Sequence, residues 1–134
     1  MAALIENYRG RDLDAHYLGY IECFNRGLFY ESHDVLEELW LADKHALNYS
    51  FYKGLIQLAG AFVHLQNNLL QPAASLFKLA RANLLKYPLV HERLDVAKLL
   101  AKIEKWLCEL ELTRYSVVIL TPDNAPQLHL LAKL

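Results

Sequence analysis

A histidine and a glutamate lie one helical turn apart in the segment YESHDVLEELW, at residues 30–40. At about 100° per residue, His33 and Glu37 share one side of a helix with Trp40, whereas Asp34 falls on the solvated face. The side with His33 is otherwise apolar, and a polar group buried there without a partner costs about 1–3 kcal/mol. This conflict predicts a site, at which the two side chains contact an ion, a ligand or each other.

The first hypothesis for this pair is a metal site. A histidine and a carboxylate four residues apart can bind one ion, and catalytic zinc sites take three protein ligands plus a water position. His64 would supply the third ligand if the two helices pack antiparallel, which their short connection favours. We therefore predict His33, Glu37 and His64 as ligands of a divalent metal ion. Hydrolysis assisted by this ion is the expected chemistry if the protein is an enzyme.

A second hypothesis uses the same residues without a metal. His33 would act as a general acid or base oriented by Glu37, next to Trp40. Lys53 and Gln57 lie on a polar stripe of the following helix, and they would bind an anionic or carbonyl group of an unknown small molecule. The sequence has no nucleophile motif, glycine-rich phosphate loop or nucleotide fingerprint, so no reaction class follows.

The alternative is a non-catalytic scaffold or interaction module. In this interpretation Glu37 pairs with Lys53, and His33 bonds to Gln57 or to a tyrosine hydroxyl, which gives a structural polar network between helices. The interaction surface would then be the tail segment SVVIL and an apolar seam on the last helix. That seam consists of Val96, Leu100, Ile103, Leu107 and Leu110.

Helical periodicity accounts for most of the chain. The spacing predicts five helices, at about residues 12–26, 29–41, 50–67, 71–86 and 91–112. Gly27 is placed to end the first helix, Ser50 to cap the third, and Pro72 to lie in the first turn of the fourth. The segment HERLD is interpreted as the start of the fifth helix, and QLHLLAKL as a final short helical turn. We predict an all-α, single-domain bundle with a core at about 12–112 and a C-terminal extension at 113–134.

The composition limits the class of protein. A chain of 134 residues that is 54% hydrophobic can bury one substantial core. The net charge is -1, with 14 basic and 15 acidic residues interspersed, which disfavours binding to nucleic acid or to an anionic membrane. The chain lacks a signal sequence and an apolar run of about 20 residues. Cys23 and Cys108 match no metal or redox spacing. We expect a cytoplasmic protein with reduced thiols, and a homodimer. The apolar seam on the last helix is either a contact within the bundle or a dimer contact.

Two segments of the chain resemble a known family. The run FNRGLFYESHDVLEELW, followed by FYKGLIQLAGAFVHL, is similar to the bacterial and archaeal domain of unknown function 309 family. Members carry a His-x-x-x-Glu-x-x-Trp or Tyr motif, which His33, Glu37 and Trp40 match, whereas Ser32 and Asp34 depart from the commoner pattern beside the histidine. The resemblance implies an all-helical domain and a metal-binding role for the motif. It implies no established reaction.

Overall fold

The computed structural model describes residues 13–132 and contains five α-helices in this part of the chain. In chain order these are α1 Ala15–Asn25, α2 Phe29–Ala42, α3 Tyr49–Gln66, α4 Leu70–Leu84 and α5 Val96–Leu112. Two short antiparallel strands, β1 Val90–His91 and β2 Leu94–Asp95, lie between α4 and α5. The all-α prediction is confirmed. Residue 12, at which the first helix was predicted to begin, lies outside the described residues.

The centre of the bundle is α3, which packs against α2 on one side and α4 on the other. This arrangement follows from its sequence, which is apolar around more than half of the helix. Phe62 of α3 contacts the rings of Phe24, Phe29, Phe77 and Trp106, which come from four different helices. The core thus forms around one aromatic side chain. No helix within residues 13–132 is long and apolar enough to cross a membrane.

Helices α1, α3 and α5 end in the same motif. The second residue after each helix has a left-handed backbone, at Gly27 (φ 75), Asn68 (φ 59) and Arg114 (φ 53). In each case the next backbone N–H donates to a carbonyl oxygen five residues earlier, over 2.8–2.9 Å, and so satisfies an unpaired carbonyl of the last turn. Gly27 therefore ends the first helix as the sequence predicted.

The prediction that the fifth helix begins at residue 91 is wrong. Residues 90–95 form the β1–β2 hairpin, and its two turn residues, Glu92 (φ 50) and Arg93 (φ 59), are both left-handed. Asp95 follows as the N-cap of α5, because its carboxylate accepts a hydrogen bond from the Lys98 N–H at 2.9 Å. Asp95, which was predicted to lie in the first turn of the helix, is therefore its N-cap residue.

Two further local predictions are wrong. Ser50 does not cap α3, because that helix begins at Tyr49 and its N-cap residue, Asn48, makes no side-chain capping bond. The C-terminal segment forms no helical turn within its described part. Leu130 instead makes an antiparallel bridge to Leu94. The tail is held in an extended form because its backbone groups bond to the bundle instead of to each other.

Candidate functional site

Helix α2 brings three possible metal ligands together: His33, Asp34 and Glu37. One ligand atom from each lies within 4.8 Å of the others. The Nδ1 atom of His33 is 3.5 Å from Asp34 Oδ1 and 3.4 Å from Glu37 Oε2. Glu37 lies one turn after His33, and Asp34 is the residue next to His33 in the sequence, so a single helix supplies the whole cluster.

The cluster lies at the edge of the bundle. The side chains of His33 and Glu37 are 34% and 39% exposed, so they are not fully buried as the apolar stripe suggested. The Nδ1 atom of His33 is nevertheless shielded from solvent and has no hydrogen-bond partner among residues 13–132. Tyr30 stacks on the imidazole, with ring centroids 6.5 Å apart and ring planes inclined by 17°. The site is therefore partly open to solvent, and the Nδ1 atom of His33 lies on its buried side.

The cluster combines one imidazole nitrogen with two carboxylates. An unprotonated Nδ1 carries a lone pair, so three electron-rich atoms would crowd together and repel one another. A hydrogen on Nδ1, which both the neutral Nδ1–H tautomer and the imidazolium ion carry, removes this repulsion, and so does a metal ion. The first gives a polar contact on the helix surface, whereas the second gives a three-ligand metal site.

Gln57 forms a hydrogen bond with Asn83 instead of the predicted one with His33. Its Oε1 atom accepts a hydrogen bond from Asn83 Nδ2 at 2.7 Å, and Asn83 Oδ1 accepts one from Lys86 Nζ at 3.2 Å. This polar network joins α3 to the end of α4. In the described part of the chain, Lys53 forms neither an ion pair nor a hydrogen bond with Glu37. The contacts of the structural-network interpretation are therefore absent there.

His64 lies outside the His33 cluster, since the group of neighbouring ligand atoms does not include it. Its Nδ1 atom is buried without a partner, and so is Nε1 of Trp40, which packs on Tyr49 at a ring-centroid distance of 5.5 Å. Together with His33, these are three such atoms in residues 13–132. Buried polar atoms without partners are rare in native proteins, and each indicates a place for a water, an ion or a ligand.

Asp34 is the member of the cluster that the sequence did not predict. It lies about 100° around the helix from His33 and so was assigned to the solvated face. Its side chain is 53% exposed, yet its carboxylate reaches back to within 3.5 Å of the imidazole. Adjacency to a candidate ligand was the available signal, because neighbouring side chains can converge by rotation about χ1.

Comparison with known protein families identifies a related family. Residues 17–76 match the family model described as Domain of unknown function (DUF309). The matched segment begins in α1, includes α2 and α3, and ends in α4, so it contains the whole His33 cluster. No curated protein and no solved structure matches the chain.

Proposed function

We propose that this chain, whose residues 17–76 belong to the family described as Domain of unknown function (DUF309), binds a divalent transition-metal ion through His33, Asp34 and Glu37. One observation carries the proposal. The Nδ1 atom of His33 is buried, has no hydrogen-bond partner among the described residues, and faces two carboxylate oxygens at 3.4 and 3.5 Å. A metal ion would be a partner for all three atoms at once.

The spacing of these atoms fits such an ion. Two ligands that each lie about 2.0–2.2 Å from a tetrahedral ion are roughly 3.3–3.6 Å apart, and both distances from His33 Nδ1 fall in that range. One nitrogen and two carboxylates suit zinc, manganese or nickel better than magnesium or calcium, which prefer oxygen ligands alone. His33, Asp34 and Glu37 are therefore the proposed ligands, and His64 is the alternative third ligand.

Three protein ligands in a site that is partly open to solvent would leave a coordination position on the ion for water or a substrate. A bound divalent ion lowers the pKa of its water ligand, which makes hydrolysis the proposed chemistry. Trp40, three residues after Glu37, has a buried N–H that finds no acceptor within residues 13–132. This N–H would donate to an oxygen of a bound ligand. Lys53 remains a candidate for contact with an anionic group, whereas the Gln57 carbonyl oxygen already bonds to Asn83.

Thermal unfolding of the metal-free, untagged protein tests the proposal. Addition of zinc, manganese or nickel is expected to raise Tm, because an ion that binds only the folded state stabilises it by about 2.7 kcal/mol at one hundred times its Kd. Magnesium should have a much smaller effect. His33→Ala and Glu37→Gln should lose the response. A wild-type protein whose Tm ignores zinc, manganese and nickel would overturn the proposal.

Three further variants define the ligand set. Glu31→Gln is the control, because Glu31 lies on α2 but outside the cluster, so its response to metal should equal that of the wild type. Asp34→Asn should weaken the response if Asp34 is the third ligand. His64→Ala should weaken it instead if His64 takes that role. Equal responses in wild type and His33→Ala would show that the ions bind elsewhere.

Homodimer formation and a cytoplasmic location stay predictions. Part of the proposed apolar seam is used within the chain, since Ile103, Leu107 and Leu110 are no more than 3% exposed. The scaffold alternative is supported instead by Val117 and Val118 in the tail, whose side chains are 50% and 53% exposed. Measurement of mass in solution for wild type and for Val117→Ser/Val118→Ser tests whether this segment mediates association.

A further inference from the structure

A pocket of about 610 Å³ lies between the helical bundle and the C-terminal tail. Its lining includes the ends of α1 and α3 on one side and tail residues 118–127 on the other. Phe29 and Leu65 lie buried beneath it, and the accessible apolar surface of its lining includes Val118 and Leu120. None of the three residues of the His33 cluster lines it. Its volume is within the range of about 300–1,000 Å³ that small-molecule sites occupy.

Hydrogen bonds fix the tail over this pocket. The side-chain amide of Asn25, itself a lining residue, makes two bonds with the backbone of Leu128. Lys102 Nζ donates to the Gln127 carbonyl at 3.2 Å, and the Leu131 N–H donates to the Arg93 carbonyl at 2.7 Å. The pocket is therefore preformed, and a ligand would not have to order the tail.

The charges around the pocket favour a cation. Helices α1 and α3 both direct their C-terminal ends toward it, and each such end carries about half a negative charge. Asp123 lines the pocket, and its carboxylate has no hydrogen-bond or ion-pair partner among the described residues. Arg26 is the single cation of the described lining, and Glu22 pairs with its guanidinium at 2.9 Å. The positive charge of Arg26, which would repel a cation, is therefore already offset by Glu22.

We propose that this pocket binds an organic ammonium compound, namely a primary amine with an apolar body. The ammonium group contacts Asp123 near the C-terminal ends of α1 and α3, and the apolar body packs against Val118 and Leu120. Gln66 donates through its Nε2 to the Gly27 carbonyl at 3.2 Å, so its own carbonyl oxygen is a further acceptor for the amine. This proposal is independent of the metal site.

Three probes of similar shape and different charge test it on the isotope-labelled full chain by two-dimensional NMR. These are 2-phenylethylamine, the neutral 2-phenylethanol and the anionic 3-phenylpropionate. The amine should cause saturable shifts of the backbone amides of Gln66, Asn68 and Thr121, with a Kd in the millimolar range or below. Equal shifts with the alcohol, stronger binding of the anion, or no saturable response to the amine would overturn the proposal.

Two charge variants give the matched control. Asp123→Asn should weaken binding of the amine about two- to fivefold, the effect that a partly exposed ion pair has on affinity. Arg26→Gln should strengthen it, because the guanidinium then no longer offsets the negative charge of Glu22. Both side chains are exposed, so the spectra and Tm of the free variants should match the wild type. Unchanged affinity in Asp123→Asn, or weaker binding in Arg26→Gln, would contradict the proposal.

Discussion

The side-chain amide of Asn25 forms two hydrogen bonds with the backbone of Leu128, a residue 103 positions later in the chain. Nδ2 donates to the Leu128 carbonyl at 2.7 Å, and Oδ1 accepts from the Leu128 N–H at 2.6 Å. The Leu128 side chain is 4% exposed, so the tail is both hydrogen-bonded and buried at this point. One asparagine at the end of α1 thereby connects the family-matched segment to the tail outside it.

Asn25→Ala is expected to lower the free energy of unfolding by about 1–3 kcal/mol, because it leaves two buried backbone groups of Leu128 without partners. Urea denaturation measures the loss, and hydrogen exchange of the Leu128 amide should become faster. Asn67→Ala is the control, since Asn67 is exposed and its side chain makes no hydrogen bond within residues 13–132. Similar stabilities for the two variants would contradict the role assigned to Asn25.

Two glycines of α3 face α4 with different amounts of space. A Cβ atom at Gly54 would lie 3.1 Å from Leu84 Cγ and 3.3 Å from the backbone oxygen of Ala80. At Gly60 the only described neighbour within 4 Å is Leu76 Cδ1, at 3.0 Å, the end of a flexible side chain. The lack of a side chain at Gly54 therefore allows α3 and α4 to pack closely, whereas a side chain at position 60 would interfere less with this packing.

Gly54→Ala should accordingly destabilise the fold by up to about 2 kcal/mol net, because the movement of the α4 backbone costs about 1–3 kcal/mol and alanine gains about 1 kcal/mol of helix propensity. In Gly60→Ala the side chain of Leu76 can rotate away, and alanine gains about 1 kcal/mol of helix propensity, so the net change should be within about 1 kcal/mol. Chemical denaturation of both variants checks this order. A greater loss in Gly60→Ala would show that the clearance at Gly54 is not limiting.

Arg114 occupies the left-handed position after α5, where glycine lies after α1. Its side chain forms no hydrogen bond or ion pair in the described part of the chain. Arg114→Gly should therefore raise the free energy of unfolding by roughly 0.5–1 kcal/mol, because glycine adopts this backbone without strain. Gly27→Ala is the converse variant. In the part of the chain that the structure describes, no atom lies within 4 Å of its added Cβ, so its expected loss of about 1 kcal/mol comes from backbone strain alone.

Stability should fall in alkaline solution. Burial raises the pKa of Tyr17 and Tyr20 well above the usual value of about 10, and Tyr20 also donates its hydroxyl to the Leu55 carbonyl at 2.6 Å. Above about pH 10 the unfolded chain loses these protons and the folded chain keeps them. The stability is thus fully present below about pH 10, and it declines above it by about 1.4 kcal/mol per pH unit for each tyrosine.

Tyr20→Phe should reduce the loss of stability per pH unit above about pH 10 by the contribution of one tyrosine. Urea denaturation of wild type and variant between about pH 8 and about pH 11 measures the two slopes. The variant will also lose stability at all pH values, since the Leu55 carbonyl loses its additional donor. The slope, and not the absolute stability, is therefore the diagnostic quantity, and equal slopes would contradict the assignment to Tyr20.

The candidate site was only partly predictable. The positions of His33 and Glu37 on one helix face follow from helical geometry, because residues four apart in sequence lie one turn apart on the same side of a helix. The convergence of Asp34 does not follow, because a carboxylate at 100° can point to solvent or return toward the imidazole. The contact of Gln57 with Asn83 depends on which helix packs beside α3, and the helical pattern of α3 alone does not specify that neighbour.

The hairpin before α5 shows how tertiary contacts override a local pattern. The segment HERLD reads as a helix start, and neither Glu92 nor Arg93 is a residue that favours a left-handed turn. The hairpin is held from outside, because the Tyr17 hydroxyl donates to the Glu92 carbonyl at 3.0 Å and His91 Nε2 is hydrogen-bonded to Asn48 Oδ1 at 2.6 Å. These partners lie far away in the sequence, so local propensity could not indicate them.

Local sequence patterns were sufficient to predict the five helices, the turn at Gly27 and the pairing of His33 with Glu37, because each depends on contacts between residues within about one or two helical turns. The third residue of the cluster, the hairpin and the pocket beneath the tail could not be predicted in this way. These features depend on groups such as Asn25 and Leu128, which are distant in the chain and meet only after the core has packed.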